Sequence, residues 1–261
     1  MSVALAAALS VSAVATASHS PWKQIAPGVT NATVADLGGD ANWAAKVLLV
    51  DPHLATFAVR FDPQKPTLAQ WRQRYPGAIA IANGSFYSAD AGEVRPTCDI
   101  VQEGRKLKGA GCLRQDALWF GARQREAKPI AQSTVAAASR TSRFFPPPDF
   151  HPEQWNDALK SFPTLVRGGA PACSGAHYCA ESSRTAAIGQ LRDGRILLFA
   201  SQWPAVRRDV ARWLAETLGV MDAVNLDGGP EATLALKGEP LEDAVGTYGR
   251  GLPLVLLVLP P

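Results

Sequence analysis

The sequence lacks an uninterrupted apolar run of the roughly 18 residues that a membrane-spanning helix requires. The apolar block at residues 252–259 is short and contains Pro253, so we interpret it as a buried strand. Strong net charge is also absent, because the formal value is only +3 and the Lys and Arg residues are scattered. These absences predict no transmembrane segment and no nucleic-acid partner, and they leave a mild preference for anionic ligands.

Residues that hold metal ions are few and dispersed. The four histidines are spread along the chain and no Cys-x-x-Cys spacing occurs, which disfavours a zinc site. The four cysteines instead fall into two local pairs, Cys98 with Cys112 and Cys173 with Cys179. Since such pairs close small loops in an oxidising compartment, we predict two disulfides, the alternative being four buried reduced thiols.

The N-terminus lacks the Lys or Arg that usually opens a signal peptide, although residues 1–17 otherwise resemble one. They are almost entirely Ala, Val, Leu and Ser, and Ala15-Thr16-Ala17 has the small-x-small form of a cleavage site. We therefore expect a signal peptide over residues 1–17, a mature domain over residues 18–261 and a periplasmic or secreted location. The alternatives are a flexible Ala-rich tail and a start internal to the true one.

The composition, 47% hydrophobic and 19% charged over 261 residues, is typical of one globular domain. Residues 46–50 and 55–61 are predicted strands, and the turn at Asp51-Pro52 predicts that they form a hairpin. Thr67 to Gln70 has the form of a capping box, which predicts a short helix ending at Pro76-Gly77.

The second half of the chain is more regular. Strands at residues 185–191 and 196–201 flank a short turn, a helix with apolar residues at helical spacing runs from Val206 to Leu218, and Gly219 ends it. A strand at residues 222–226 follows. Strands outnumber helices and short turns join many of them, so we predict an α+β fold with a mixed, largely antiparallel sheet and flanking helices. A doubly wound fold is the alternative.

Polar residues follow directly on apolar strands in three segments, at residues 83–87, 183–189 and 225–231. Glycines allow the backbone to approach a ligand closely, so the amides around Gly84, Gly228 and Gly229 are candidates to bind a phosphate or a developing oxyanion. A purely structural turn is the alternative at each position.

Taken together, the order and spacing of these segments closely resemble the phosphodiester glycosidase family. The NG(G/S)FF segment of that family is similar to residues 83–87, its RTAIG strand to residues 184–189, and its NLDGG(G/P) turn to residues 225–230. The resemblance implies hydrolysis of a glycosyl phosphodiester in a small-molecule or polysaccharide substrate, without a cofactor. Two stretches depart from the family pattern, Pro230-Glu231-Ala232 and residues 95–99, and both bear on sugar specificity.

Cleavage of such a bond develops positive charge at the anomeric carbon, which carboxylates stabilise. Asp227 is the first candidate for nucleophile or base, because the neighbouring glycines expose it. Asp99, Glu231 and Glu93 are candidates for the second carboxylate. The alternative for Asp227 is a turn-capping role.

Guanidinium groups pair with phosphate oxygens in bidentate fashion, so Arg184 and Arg250 are candidates for the phosphate. Their alternative role is a salt bridge that orients Asp227. Asn83 and Ser85 are candidates to bind sugar hydroxyls or the oxyanion, and Thr185 belongs to the same expected substrate-binding set.

Two other functions fit the same residues. A metal-dependent phosphodiesterase would use Asp99, Asp227 and Glu231 as oxygen ligands of a divalent cation and would break the P–O bond. A polysaccharide-binding or polysaccharide-assembly protein would keep the fold without turnover.

Overall fold

The computed structural model describes residues 20–34, 45–112, 116–124, 142–173, 177–246 and 249–261, so the predicted signal peptide lies outside the described residues. The strands, in chain order, are β1 (Lys23–Ala26), β2 (Val29–Val34), β3 (Ala45–Val50), β4 (Thr56–Phe61), β5 (Ala80–Asn83), β6 (Tyr87–Ser88), β7 (Arg95–Pro96), β8 (Ile100–Gln102), β9 (Arg105–Leu107), β10 (Leu118–Gln124), β11 (Arg143–Phe145), β12 (Trp155–Ser161), β13 (Thr164–Arg167), β14 (Ala170–Pro171), β15 (Ser182–Ser183), β16 (Ala186–Leu191), β17 (Ile196–Ser201), β18 (Ala205–Val206), β19 (Val220–Asn225), β20 (Leu234–Leu236) and β21 (Leu254–Leu259). The α-helices are α1 (Leu68–Arg74), α2 (His177–Ala180) and α3 (Arg207–Glu216).

Three sheets form the body of the protein. The largest has the strand order β1-β2-β3-β17-β16-β19-β13-β14, the second β11-β10-β12-β8-β9, and the third β20-β5-β21-β4. Two further ladders, β15-β18 and β6-β7, have two strands each. Within the described residues the named strands pair in antiparallel fashion, as in β16 with β17 and β16 with β19. The predicted single-domain α+β fold is therefore confirmed, and the doubly wound alternative is wrong for the described residues.

The main core lies between the eight-stranded sheet and the other two sheets. Leu198 and Val224 of the large sheet belong to the same buried cluster as Phe57 of β4, Phe120 of β10 and Leu256 of β21. The Phe57 and Phe120 rings meet edge to face, with centroids 5.4 Å apart. Burial of this apolar surface is the main force that holds the sheets face to face.

Helix α3 covers the outer face of the eight-stranded sheet. Its buried residues Val210, Trp213 and Leu214 pack in one cluster with Val47 and Phe199 of the strands. The apolar positions recur at the spacing of one helix face, as the sequence predicted. Gly219 follows the helix with a φ of +68°, a conformation that favours glycine.

Helix α1 covers the four-stranded sheet. The predicted capping box is present, because Thr67 Oγ1 accepts a hydrogen bond from the Gln70 amide and Gln70 Oε1 accepts one from the Thr67 amide. Buried Trp71 donates from Nε1 to the Leu252 carbonyl at 2.8 Å, which ties the helix to the segment before β21.

The predicted hairpin of β3 and β4 is wrong, although both strands form. Strand β3 pairs with β2 and β17, whereas β4 pairs with β21 in another sheet. The Leu54 and Ala55 amides both donate to the Asp51 carbonyl at 3.0 Å, and this turn carries the chain from one sheet to the next. Every residue of β3 is buried, so the strand gains more from two neighbours inside the large sheet than from one hairpin partner.

Both predicted disulfides are confirmed. Cys98 is bonded to Cys112 with 4.7 Å between their Cα atoms, and Cys173 is bonded to Cys179 with 5.5 Å. In the described part of the chain, no helix has the length and apolar character needed to cross a bilayer.

Candidate active site

The loops after β5 and β19 meet although the two strands belong to different sheets. The Asp227 amide donates to the Gly84 carbonyl at 3.0 Å, and Asn83 Nδ2 donates to the Asp227 carbonyl at 2.7 Å. Asn83 Oδ1 accepts a hydrogen bond from the Thr233 amide at 2.9 Å. One buried side chain therefore fixes both ends of the turn that carries Asp227.

The segment before β16 joins the same place. The Gly229 amide donates to the Arg184 carbonyl at 2.8 Å, and a Cβ on Gly228 would lie only 2.7 Å from that carbonyl oxygen. Gly229 has a φ of +60°, so both glycines are needed for the close approach of the two loops. The structure thus brings all three sequence segments together.

Arg184 is engaged with the backbone around it. Its Nη2 donates to the Ala232 carbonyl at 2.6 Å, and its Nε lies 3.4 Å from the Ser201 carbonyl. These bonds tie the end of β17 to the loop after the short 3₁₀ helix Gly229–Glu231. The position of this guanidinium supports a structural role in shaping the site.

Glu231 is the carboxylate whose charge most strongly raises the pKa of Asp227. Its side chain is only 11% exposed, its Oε1 accepts a hydrogen bond from the Tyr87 hydroxyl at 3.2 Å, and the same oxygen forms a salt bridge with Arg250 Nε at 3.0 Å. Burial and then the Glu231 charge raise the pKa of Tyr87, so this hydroxyl keeps its proton and remains a donor.

Asp227 has a strongly shifted pKa. Burial, followed by the negative charge of Glu231, raises the pKa of Asp227 to about 7, against the opposing effects of the Gly228 amide, Arg250 and Arg207. Near neutral pH the group therefore exists in both protonation states, which suits a residue that accepts or delivers a proton.

Sequence reasoning missed Arg207, the first residue of α3. Its Nη1 donates to the Tyr178 carbonyl at 2.6 Å and to Glu181 Oε2 at 3.1 Å, and its Nη2 donates to Ser183 Oγ at 2.9 Å. The side chain is almost fully buried, yet its positive charge lowers the pKa of Asp227. A polar residue at a predicted helix start gives no sign of this, because only the tertiary fold places it beside the Asp227 turn.

Three residues predicted to bind substrate are buried: Asn83, Ser85 and Thr185, each at most 2% exposed. The Ser85 hydroxyl donates to Ser161 Oγ at 3.0 Å, and the Thr185 hydroxyl donates to the Ser183 carbonyl at 3.1 Å. The structure therefore uses these side chains to build the loops beneath the carboxylates.

The other candidates for the second carboxylate lie in different surroundings. Asp99 accepts from the Gly109 amide at 2.8 Å and pairs with Lys106 at 2.9 Å. Burial alone would raise the pKa of Asp99, but these two contacts outweigh it and lower the pKa. Glu93 is exposed and pairs with Arg95 at 3.6 Å. Of the candidates, Glu231 is the one whose charge raises the pKa of Asp227.

The described ranges contain no group of three or more His, Cys, Asp or Glu side chains arranged to hold a metal ion. The set predicted for a divalent cation, Asp99, Asp227 and Glu231, is thus not assembled as a cluster there. Glu231 has Arg250 and Tyr87 as its immediate partners instead.

The site combines paired acidic side chains, arginine and glycine-rich turns at the meeting of three loops, and comparison with known proteins gives the family. The model of the phosphodiester glycosidase family matches residues 76–259. Since the match covers well over half of the chain, this protein belongs to the phosphodiester glycosidase family, an enzyme family. The resemblance identified from the three motifs is confirmed. No curated protein sequence matches the chain.

Solved structures share the fold at low sequence identity. The catalytic domain of zebrafish N-acetylglucosamine-1-phosphodiester alpha-N-acetylglucosaminidase, auto-inhibited by its pro-peptide, has a TM-score of 0.64 and 16% identity, with 90% of this chain and 85% of that chain covered. A hypothetical protein from Synechocystis has a TM-score of 0.60 and 14% identity, covering 93% and 64%. A protein of Burkholderia pseudomallei has a TM-score of 0.52 and 15% identity, covering 88% of this chain and 77% of that chain.

Proposed function

We propose that this protein hydrolyses a sugar-1-phosphodiester, with Asp227 as nucleophile or general base and Glu231 as the second carboxylate. The observation that carries the proposal is the electrostatic interaction of these two carboxylates, in which the Glu231 charge raises the pKa of Asp227 where the three family segments meet. Arg250 is the proposed phosphate ligand, and the positive charge of Arg207 favours the ionised form of Asp227.

The chemistry of the substrate fits two carboxylates of different character. The leaving group is a phosphate monoester, which departs readily, so catalysis is needed mainly where positive charge develops at the anomeric carbon. Glu231, held by Tyr87 and Arg250, supplies negative charge beside the reacting centre. Asp227 attacks the anomeric carbon or removes a proton from the attacking water.

Arg250 is suited to the phosphate because it is exposed and only partly engaged. About half of its side chain is accessible, and only its Nε bonds to Glu231. Its two terminal nitrogens have no hydrogen-bond partner among the described residues, so they are available to a phosphate oxygen. This geometry favours Arg250 over Arg184 for that role.

Replacing Arg250 with Ala is expected to raise KM for a sugar phosphodiester by about 10- to 100-fold, the usual worth of a charge-assisted hydrogen bond. Steady-state kinetics with the phosphodiester and with the para-nitrophenyl glycoside of the same sugar measure it. The neutral glycoside should be affected much less. Arg208→Ala, an exposed arginine of α3, is the matched control. Equal loss on both substrates would contradict a phosphate-binding role.

The value of kcat/KM is expected to increase with pH, with an apparent pKa of about 7 that belongs to Asp227. A nucleophile or base acts only when ionised, and the ionised fraction increases as pH rises through the pKa. Glu231→Gln should move this limb to lower pH, because the Glu231 charge holds the pKa of Asp227 up. A rate that decreases through the same range would instead assign Asp227 as the acid.

The two disulfides support a location in an oxidising compartment, where such bonds persist. We therefore infer that the protein is periplasmic or secreted and that its substrate belongs to envelope or extracellular polysaccharide. Mass spectrometry of the protein from its native host gives the mature N-terminus, which we expect near Ser18.

A substrate screen tests the proposed function. The purified mature chain is incubated with methyl phosphodiesters of common sugars, UDP-sugars and para-nitrophenyl glycosides, and the products are identified. Release of a free sugar and a phosphate monoester is the expected result, unaffected by chelation. Binding without turnover by the wild type would support the polysaccharide-binding alternative, and activity lost on chelation would support the metal-dependent phosphodiesterase.

A further inference from the structure

Trp203 is an exposed indole on the loop after β17. Among the large hydrophobic side chains of the described residues, only Leu54 and Trp203 are exposed, with 47% and 55% accessible. No hydrogen bond or ring contact of Trp203 occurs within the described ranges. Packing of the domain therefore does not explain this aromatic surface.

The sheet register places Trp203 and Asp227 on loops at the same end of the large sheet. Ala187 of β16 pairs with Phe199 of β17 on one side and with Asn225 of β19 on the other, and both pairings are antiparallel. Strands β17 and β19 therefore run in the same direction, and the chain leaves both of them at the same end of the sheet. They are separated by two strand spacings, about 10 Å. Asp227 and Trp203 each lie two residues beyond the end of their strand.

The loop that carries Trp203 is fixed at both ends. Before it, the Ser201 amide donates to the Thr185 carbonyl at 2.9 Å and the Thr185 amide donates to Ser201 Oγ at 2.8 Å. After it, Ala205 pairs with Ser183 in the β15-β18 ladder. The adjoining Arg184 carbonyl accepts from the Gly229 amide, so hydrogen bonds link the Trp203 loop to the Asp227 turn.

We propose that Trp203 is a carbohydrate platform that binds the face of a second sugar ring of the substrate. The inference rests on the proposed function of the Asp227 site and extends it to the substrate class. Trp offers a large rigid apolar face with a polar edge, which matches the C–H face and hydroxyl rim of a pyranose. Because the loop is already fixed, stacking requires little ordering. The substrate then contains at least two sugar units, one beside Asp227 and one on Trp203.

Kinetics on paired substrates test the platform. For the sugar that supports hydrolysis, the phosphodiester of the single sugar is compared with that of its oligosaccharide. Trp203→Ala is expected to raise KM for the oligosaccharide by about 3- to 10-fold, the range of aromatic stacking, and to leave the single-sugar KM unchanged. Trp203→Phe should retain most of the affinity. Leu54→Ala is the matched control. This exposed residue follows β3, which is antiparallel to β17 and therefore ends at the opposite end of the sheet.

A binding measurement keeps the inference testable without turnover. Asp227→Asn protein labelled with 5-fluorotryptophan is titrated with cellohexaose, maltohexaose and chitohexaose, and the Trp203 signal is assigned by its absence from the Trp203→Phe variant. At least one sugar should shift that ¹⁹F resonance. No shift with any of them, an unchanged oligosaccharide KM in Trp203→Ala, or an effect confined to UDP-sugars would overturn the platform. A wild type that hydrolyses no phosphodiester would overturn the proposed function alone.

Discussion

Replacing Asp227 with Asn is expected to lower kcat/KM by about 10²- to 10⁴-fold, the usual contribution of a base in proton transfer. The amide keeps the size of the carboxyl group but neither attacks carbon nor accepts a proton from water. The hydrogen bonds that join Asp227 to Gly84 and Asn83 are made by its backbone, and the Asn side-chain oxygen still accepts from the Gly228 amide, so the loop geometry should persist. Kinetics on the best phosphodiester from the substrate screen measure the loss.

Unfolding measurements provide the control for Asp227→Asn. The folded pKa of Asp227 lies above the ordinary value of 3.8, so the folded state holds a proton that the unfolded state has released, and this group costs stability as pH rises from about 4 to about 7. The Asn variant should therefore be at least as stable as the wild type above pH 7. If the Asn variant is unfolded, its loss of activity does not test the catalytic role. The activity of Asp227→Glu, which keeps a carboxylate, would then test that role. Full activity in a folded Asn variant would contradict the assignment.

Replacing Asn83 with Asp is expected to destabilise the protein by about 3 kcal/mol or more, because it puts a carboxylate where a buried amide now donates. Asn83 is 1% exposed and its Nδ2 bonds to the Asp227 carbonyl, so the variant would set two oxygens against each other. For a chain of this size the loss corresponds to a decrease in Tm of roughly 10 °C.

Thermal unfolding of Asn83→Asp beside Asn156→Asp gives the comparison. Asn156 is a partly exposed residue of β12, so its substitution should change Tm little. Activity of Asn83→Asp below its Tm should also decrease, since the turn that carries Asp227 loses one of its two side-chain bonds. Similar Tm values for the two variants would show that Asn83 does not fix the turn.

Local patterns in the sequence predicted the helices α1 and α3 and several long strands, but not the pairing of β3 and β4 or most of the short strands. The capping box at Thr67 and the apolar stripe of α3 depend on neighbours a few residues away, so they can be read directly. Strand β3 pairs with β17, which lies about 150 residues downstream, so no local pattern identifies this partner. The turn at Asp51 is compatible both with a hairpin and with a change of sheet. Sequence periodicity does not distinguish these two arrangements.

The part of the site in which acidic residues lie next to a glycine-rich turn was predictable from the sequence. Asp227 and Glu231 lie in one short segment, and the structure couples them electrostatically. Burial was not predictable, so Asn83, Ser85 and Thr185 were expected to face substrate although they support the loops from inside. Arg207 lacked any local signal, because its relation to Asp227 arises only from the packing of α3 on the sheet.

Hydrolysis in oxygen-18 water tests the central claim most directly. If carboxylates at the Asp227 site cleave the bond between the sugar and oxygen, wild-type protein should place the label in the released sugar, and Asp227→Asn should release almost none. Label in the phosphate product would mean that the P–O bond is broken and would contradict the assignment of this site as a glycosidase centre.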